Sequence, residues 1–166
     1  MMRFDVSQNI DNNAMLSSGY GFISNHQTAR GKSGVNFIEH RIWEQFYIRH
    51  ELRNIRMEHR YRLEQRWLKR KPTLYLDRIR YFYRVTIPIS NKQLLPNTLF
   101  LSFYNEVFLN ITDNPFDRNR LYGATGYQFT KDIAGHAGYL LQTTSTGTKP
   151  YLQLAIFWNV DLRPEN

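Results

Sequence analysis

From Ile55 to Leu68 the chain reads I-R-M-E-H-R-Y-R-L-E-Q-R-W-L, so that every even position from Arg56 to Arg66 is charged while the odd positions are mostly apolar or aromatic. A period of two belongs to a β-strand. One face carries Arg56, Glu58, Arg60, Arg62, Glu64 and Arg66, and the other Ile55, Met57, Tyr61, Leu63 and Trp67. Arg, Glu, Leu and Met individually favour helix, but at about 100° per residue these apolar positions scatter around the whole circumference. A water-soluble sheet would bury the aromatic face and solvate the charges. The same design recurs along the chain in strands well beyond the usual five or six residues or so, which points to surroundings that welcome an apolar exterior.

Nine strands are expected, roughly at Met2 to Ile10, Met15 to Ile23, Phe37 to Leu52, Ile55 to Leu68, Tyr75 to Ile87, Thr98 to Asn110, Arg118 to Phe129, Gly135 to Thr143 and Tyr151 to Leu162. Turn-forming residues separate them: Asp11-Asn12-Asn13, the polar stretch Asn25 to Asn36, Arg53-Asn54, Arg70 to Thr73, Ser90 to Asn97, Thr112 to Asp117, Lys131-Asp132 and Ser145 to Pro150. No helix, linker or second domain is needed, so residues 1–166 read as a single all-β domain. The outward parity holds, among others, Val6, Leu16, Tyr20, Ile42, Ile79, Tyr81, Leu99, Phe103, Leu121, Tyr127, Leu152, Leu154, Ile156, Val160 and Leu162.

At about 3.3 Å per residue and a tilt near 40°, about ten residues cross an apolar band of roughly 25 Å. Apolar-out, polar-in strands of that length are the pattern of an antiparallel up-and-down transmembrane β-barrel, with Tyr, Trp and Phe as interfacial girdles. An arginine on the lipid side near the midplane costs about 2 to 4 kcal/mol, which assigns Arg60 and Arg62 to the interior. Glu44, Asn105 and Asn119 fall on the outward parity and need a bulge or a nearby headgroup region.

Other classes fit less well. No apolar run approaches the roughly 18 residues of a membrane helix. Cysteine is absent and the five histidines are scattered, so no metal or cofactor is expected. The formal charge of +8 suggests a polyanionic partner, yet the excess is arginine at alternating strand positions and no nucleic-acid-binding motif accompanies it. Nucleic acid is therefore not an expected partner, although a soluble basic β-barrel that binds it stands as an alternative.

The expected lumen is an ionic network of Glu39, Arg41, Arg49, Arg56, Glu58, Arg60, Arg62, Glu64, Arg66, Arg78, Arg80, Arg84, Glu106 and Arg120. Such a network either fills and braces the interior, since buried charges must be paired, or forms a constriction or ligand site for small anions. If Arg53-Asn54 is a two-residue hairpin loop, Arg49 stands against Glu58 and Glu64 lies diagonal to Arg41. Glu64 also faces Arg78 or Arg80 in either register of the next hairpin, which makes it the most heavily bonded carboxylate. A membrane-embedded lipid hydrolase is the enzymatic alternative, with Ser102 and His136 as candidates, but no Gly-x-Ser-x-Gly turn or third member is evident.

The stretches E-H-R-I-W-E-Q at Glu39 to Gln45, E-H-R-Y-R-L-E-Q-R at Glu58 to Arg66, R-I-R-Y-F-Y-R at Arg78 to Arg84, F-L-S-F-Y-N-E-V-F-L-N at Phe100 to Asn110, F-D-R-N-R-L-Y at Phe116 to Tyr122, G-Y-Q-F at Gly126 to Phe129 and the closing L-Q-L-A-I-F-W-N-V-D-L resemble an uncharacterised Bacteroidetes outer-membrane family, domain of unknown function 2490. The resemblance covers most of the chain after Phe37. It implies an outer-membrane barrel, with membrane lipid and the barrel assembly machinery as partners, and implies no activity. The start, Met1-Met2-Arg3-Phe4-Asp5, lacks a signal peptide and runs into a strand pattern, so the chain reads as N-terminally truncated and the outer-membrane location as that of its parent. Even strand numbers in such barrels then make a parent of ten or twelve strands.

Overall fold

The alternation of side chains along each segment produces strands almost everywhere. The computed structural model describes residues 2–25, 28–29, 32–33, 37–69, 72–112 and 114–159. In chain order the elements are β1 (Met2–Asn9), β2 (Ala14–Asn25), β3 (Thr28–Ala29), β4 (Lys32–Ser33), β5 (Phe37–Leu52), β6 (Ile55–Lys69), β7 (Leu74–Pro88), β8 (Thr98–Asn110), β9 (Phe116–Gln128), β10 (Ile133–Thr144) and β11 (Gly147–Trp158). Nine of them form one antiparallel up-and-down sheet in the order β1-β2-β5-β6-β7-β8-β9-β10-β11. The sheet is not closed on itself: β1 and β11 end the order. The small β3–β4 pair lies in the stretch read from sequence as a plain loop.

Polar side chains build the turns. Asp11 Oδ1 accepts hydrogen bonds from the backbone N–H groups of Asn13 (2.6 Å) and Ala14 (2.7 Å), closing β1 onto β2. Thr130 Oγ1 accepts from the N–H groups of Asp132 and Ile133 before β10. Asn97 and Asn114 take positive φ values of 61° and 35°, beside Pro96 and Pro115, where a short amide side chain tolerates the left-handed region. Arg53 has φ 59° and forms, with Asn54, the two-residue connection from β5 to β6.

One boundary needs correction. Ser145 to Pro150 was expected to be a turn, but only Ser145 and Thr146 turn, and β11 begins at Gly147. Pro150 sits within β11 opposite Leu141. A proline is admissible there because β11 is an edge strand. Val160, Asp161 and Leu162, assigned to the last strand, lie outside the described residues.

The chain groups into two compact units. Unit 1 comprises Met1–Arg49, His59–Phe82 and Val107–Arg118; unit 2 comprises His50–Glu58, Tyr83–Glu106 and Asn119–Asn166. In unit 1 the buried side chains include Glu39, Arg41, Glu64, Arg78 and Arg80 with Trp43, Phe82 and Phe108, while Phe4, Val6, Leu16, Tyr20, Ile42, Ile79 and Tyr81 are exposed. Unit 2 buries Thr98, Phe100, Ser102, Glu106, Tyr122 and Ala124 and exposes Leu99, Phe103, Leu121, Tyr127, Leu152, Leu154 and Ile156. Each unit is inverted relative to an ordinary aqueous sheet. Glu64 has 0 % of its surface exposed, whereas Leu154 has 74 % and Ile156 81 %.

Candidate functional site

Alternate positions of β5, β6 and β7 share a face, and in unit 1 this gathers carboxylates and guanidinium groups from all three strands. Glu64 Oε2 accepts from Arg78 Nε (3.0 Å) and Nη2 (2.5 Å), and Oε1 accepts from Arg80 Nη1 (2.6 Å). Arg41 Nη1 and Arg62 Nη1 stand 3.6 and 3.7 Å from the same Oε1. Glu39 is clasped by two arginines: Arg41 donates to Oε1 from Nε (2.9 Å) and Nη2 (2.6 Å), and Arg66 donates from Nε to Oε1 (2.8 Å) and from Nη2 to Oε2 (3.0 Å). Asp117 adds a third carboxylate, accepting from Arg78 Nη1 (2.8 Å) and Arg118 Nε (3.2 Å).

Aromatic rings form the shelves on which these cations lie. Arg80 and Arg78 sit 4.4 and 5.2 Å from the Phe108 ring centroid, Arg60 4.5 Å from Phe82, and Arg62 5.4 Å from Trp43. Stacking occupies the face of a guanidinium and leaves its edge for in-plane bonds. The Trp43 indole in turn leans across Gly19 and Gly21 of β2, and a Cβ at Gly19 would overlap the ring. These glycines serve by having no side chain.

Unit 2 holds a looser set. Arg84 Nη1 is 3.7 Å from Glu58 Oε2, Arg120 Nη1 is 3.9 Å from Glu106 Oε2, and Arg120 Nε donates to Gln142 Oε1 at 2.9 Å. Arg56 Nε donates to the exposed Glu51 at 3.3 Å. In unit 1, Arg49 Nη2 donates to the backbone carbonyl of Asn12 at 3.5 Å. Ser102 is buried, and His136 Nδ1 lies 3.0 Å from the Tyr122 hydroxyl with its ring stacked on Phe157 at 4.8 Å. The Nδ1 of His136, a candidate partner for Ser102, is thus engaged by a tyrosine.

Sequence reading passed over Asp117, Gln45 and the buried aromatics. Asp117 closes the expected Thr112 to Asp117 turn, and its only signal in the sequence is the adjacent Arg118. Gln45, a neutral residue, stands outside the expected ionic set. It accepts from Arg62 Nε at 3.0 Å and from Nη2 of the same guanidinium.

The outward amides Asn105 and Asn119 resolve each other. Asn105 Nδ2 donates to Asn119 Oδ1 (3.1 Å) and Asn119 Nδ2 donates to Asn105 Oδ1 (3.2 Å), without a bulge being required. Asn105 also borders an apolar hollow of about 450 Å³ beside Tyr83, Phe103, Leu121, Gly123 and Tyr139, on the exposed face. Asn105 Nδ2 also donates to the Arg120 carbonyl (3.2 Å), so Asn105→Leu, which leaves the Asn119 amide without this partner, should cost about 1 to 3 kcal/mol and Asn119→Leu less. The double leucine variant should recover most of that loss, and chemical unfolding of the four proteins as a double-mutant cycle measures it.

An antiparallel all-β protein with ionic side chains buried on one face of its sheet and apolar side chains exposed on the other is the class that these observations define. The pattern of the family described as "Protein of unknown function (DUF2490)" matches residues 1–153, and the chain belongs to that family. The match reaches the first residue, well beyond the portion after Phe37 recognised from motifs. No curated protein and no solved structure matches the chain.

Proposed function

We propose that the chain forms a transmembrane β-barrel domain of an outer membrane, with an arginine-rich lumen that is braced by buried carboxylates and favours small anions. The observation that supports it is the inversion of burial: Glu64 is wholly enclosed among arginines while Leu152, Leu154, Ile156 and Val6 stand exposed. Lipid is the solvent in which that arrangement costs least, because exposed aliphatic side chains are favourable there and enclosed charges find each other. Its partners on this reading are outer-membrane lipid, the machinery that inserts barrels, and small anions passing or resting inside. Closure requires the edge backbone groups of β1 and β11 to be paired, since an open sheet edge is not tolerated in hydrocarbon.

Refolding the chain into phospholipid vesicles tests the proposal. The expected result is a folded form that resists protease and runs differently on an unheated gel, followed in planar bilayers by a current selective for anions. Failure to enter vesicles, with the chain folded in buffer alone, overturns the membrane reading. Insertion with no current leaves the braced scaffold and removes the pore.

A further inference from the structure

We propose that Arg62 and Gln45 form a site for a small oxyanion, a phosphate or carboxylate group that takes the place of the Gln45 amide oxygen on the Arg62 guanidinium. This rests on the anion-favouring interior proposed above and assigns it a residue. The first support is charge. Among the described residues of unit 1, the ion pairs join six guanidinium groups to three carboxylates, an arginine-rich setting suited to a small anion.

Geometry selects Arg62 as the place. Its Nε and Nη2 both donate to the single neutral oxygen of Gln45, and its Nη1 is 3.7 Å from Glu64, beyond hydrogen-bond length. Glu64 directs its own close bonds to Arg78 and Arg80. The guanidinium is seated on Trp43, and the bare backbone of Gly19 and Gly21 holds that ring in place, so its orientation is set before any ligand arrives. The Nε–Nη2 edge presents two parallel N–H donors, the geometry that bidentate oxyanion binding uses. Gln45 supplies that edge with one uncharged acceptor, whereas an oxyanion supplies two charged ones, in bonds about twice as strong. Arg62 retains 13 % side-chain exposure, which leaves a way in.

Thermal unfolding of the full chain in detergent, in sodium phosphate, sodium acetate and sodium chloride at one ionic strength, tests the site. The expected result is a saturable rise in Tm with phosphate or acetate over chloride, and the salt that saturates at lower concentration identifies the group preferred. Gln45→Glu puts a tethered carboxylate on the same edge and keeps Arg62 partnered, so it should fold and lose the saturable rise. Gln45→Ala should keep the rise and move its midpoint severalfold lower. Identical Tm values in the three salts overturn the proposal, and so does a Gln45→Glu protein that responds like wild type. The readout is independent of membrane insertion: a chain that fails to enter vesicles but shows the saturable rise loses the membrane reading and keeps the site.

Discussion

Glu64→Ala is expected to destabilise the folded protein by about 3 kcal/mol or more, the cost of removing one partner from a buried charge pair. The magnitude follows from what is left behind. Arg78 keeps Asp117 but loses its two bonds to Glu64, Arg80 loses its bond to Glu64, and Arg41 and Arg62 lose a carboxylate within 4 Å. Glu64→Gln keeps the shape and one acceptor oxygen, so its cost should be smaller but still clear. Urea unfolding of the three proteins in the same lipid or detergent gives the differences. A Glu64→Ala protein indistinguishable from wild type would show that the arginines do not depend on this carboxylate.

Leu121→Arg should cost about 2 to 4 kcal/mol in a bilayer, the penalty for a cation on the lipid side of a barrel near the midplane. Leu121 is 52 % exposed and lies near the middle of β9, with a strand on either side. In water the same substitution at such a site falls within about 0.5 kcal/mol of neutral. The variant therefore reads the solvent of that face directly, and a near-zero effect in vesicles would contradict the membrane proposal.

In the inner strands the face a residue takes was legible in the chain, because a period of two carries that information, whereas β1 is exposed at every position and β11 at most of them. Tyr20, Ile79 and Leu121 are exposed as their parity required. Partner identity is another matter, since it depends on register, and register depends on turns. The Arg53-Asn54 connection is the two-residue loop that the sequence leads one to expect, but the Arg62–Gln45 bond joins a cation to a neutral amide and has no charge pattern to announce it. Within unit 1, Arg78 spans two carboxylates, Glu64 and Asp117, and Arg66 reaches across to Glu39. Long flexible side chains reach past the nearest position, and strand geometry alone does not say how far. The aromatic shelves were hidden for a different reason: Trp43, Phe82 and Phe108 interrupt the inward polar parity, and only side-chain placement reveals that they lie beneath guanidinium groups.

Pro150 gives the open edge of β11 a direction. Hydrogen-bonded and non-hydrogen-bonded pairs alternate along an antiparallel hairpin, and counting from the Thr144–Gly147 pair that closes the two-residue turn makes Leu141–Pro150 a non-hydrogen-bonded one. The nitrogen of Pro150 therefore faces away from β10, toward the edge, where it has no proton to offer. A strand joining β11 from outside can dock continuously along Leu152 to Trp158 but meets a missing donor beside the turn. The missing donor blunts this edge beside the turn, which disfavours pairing of another copy along the full length of β11.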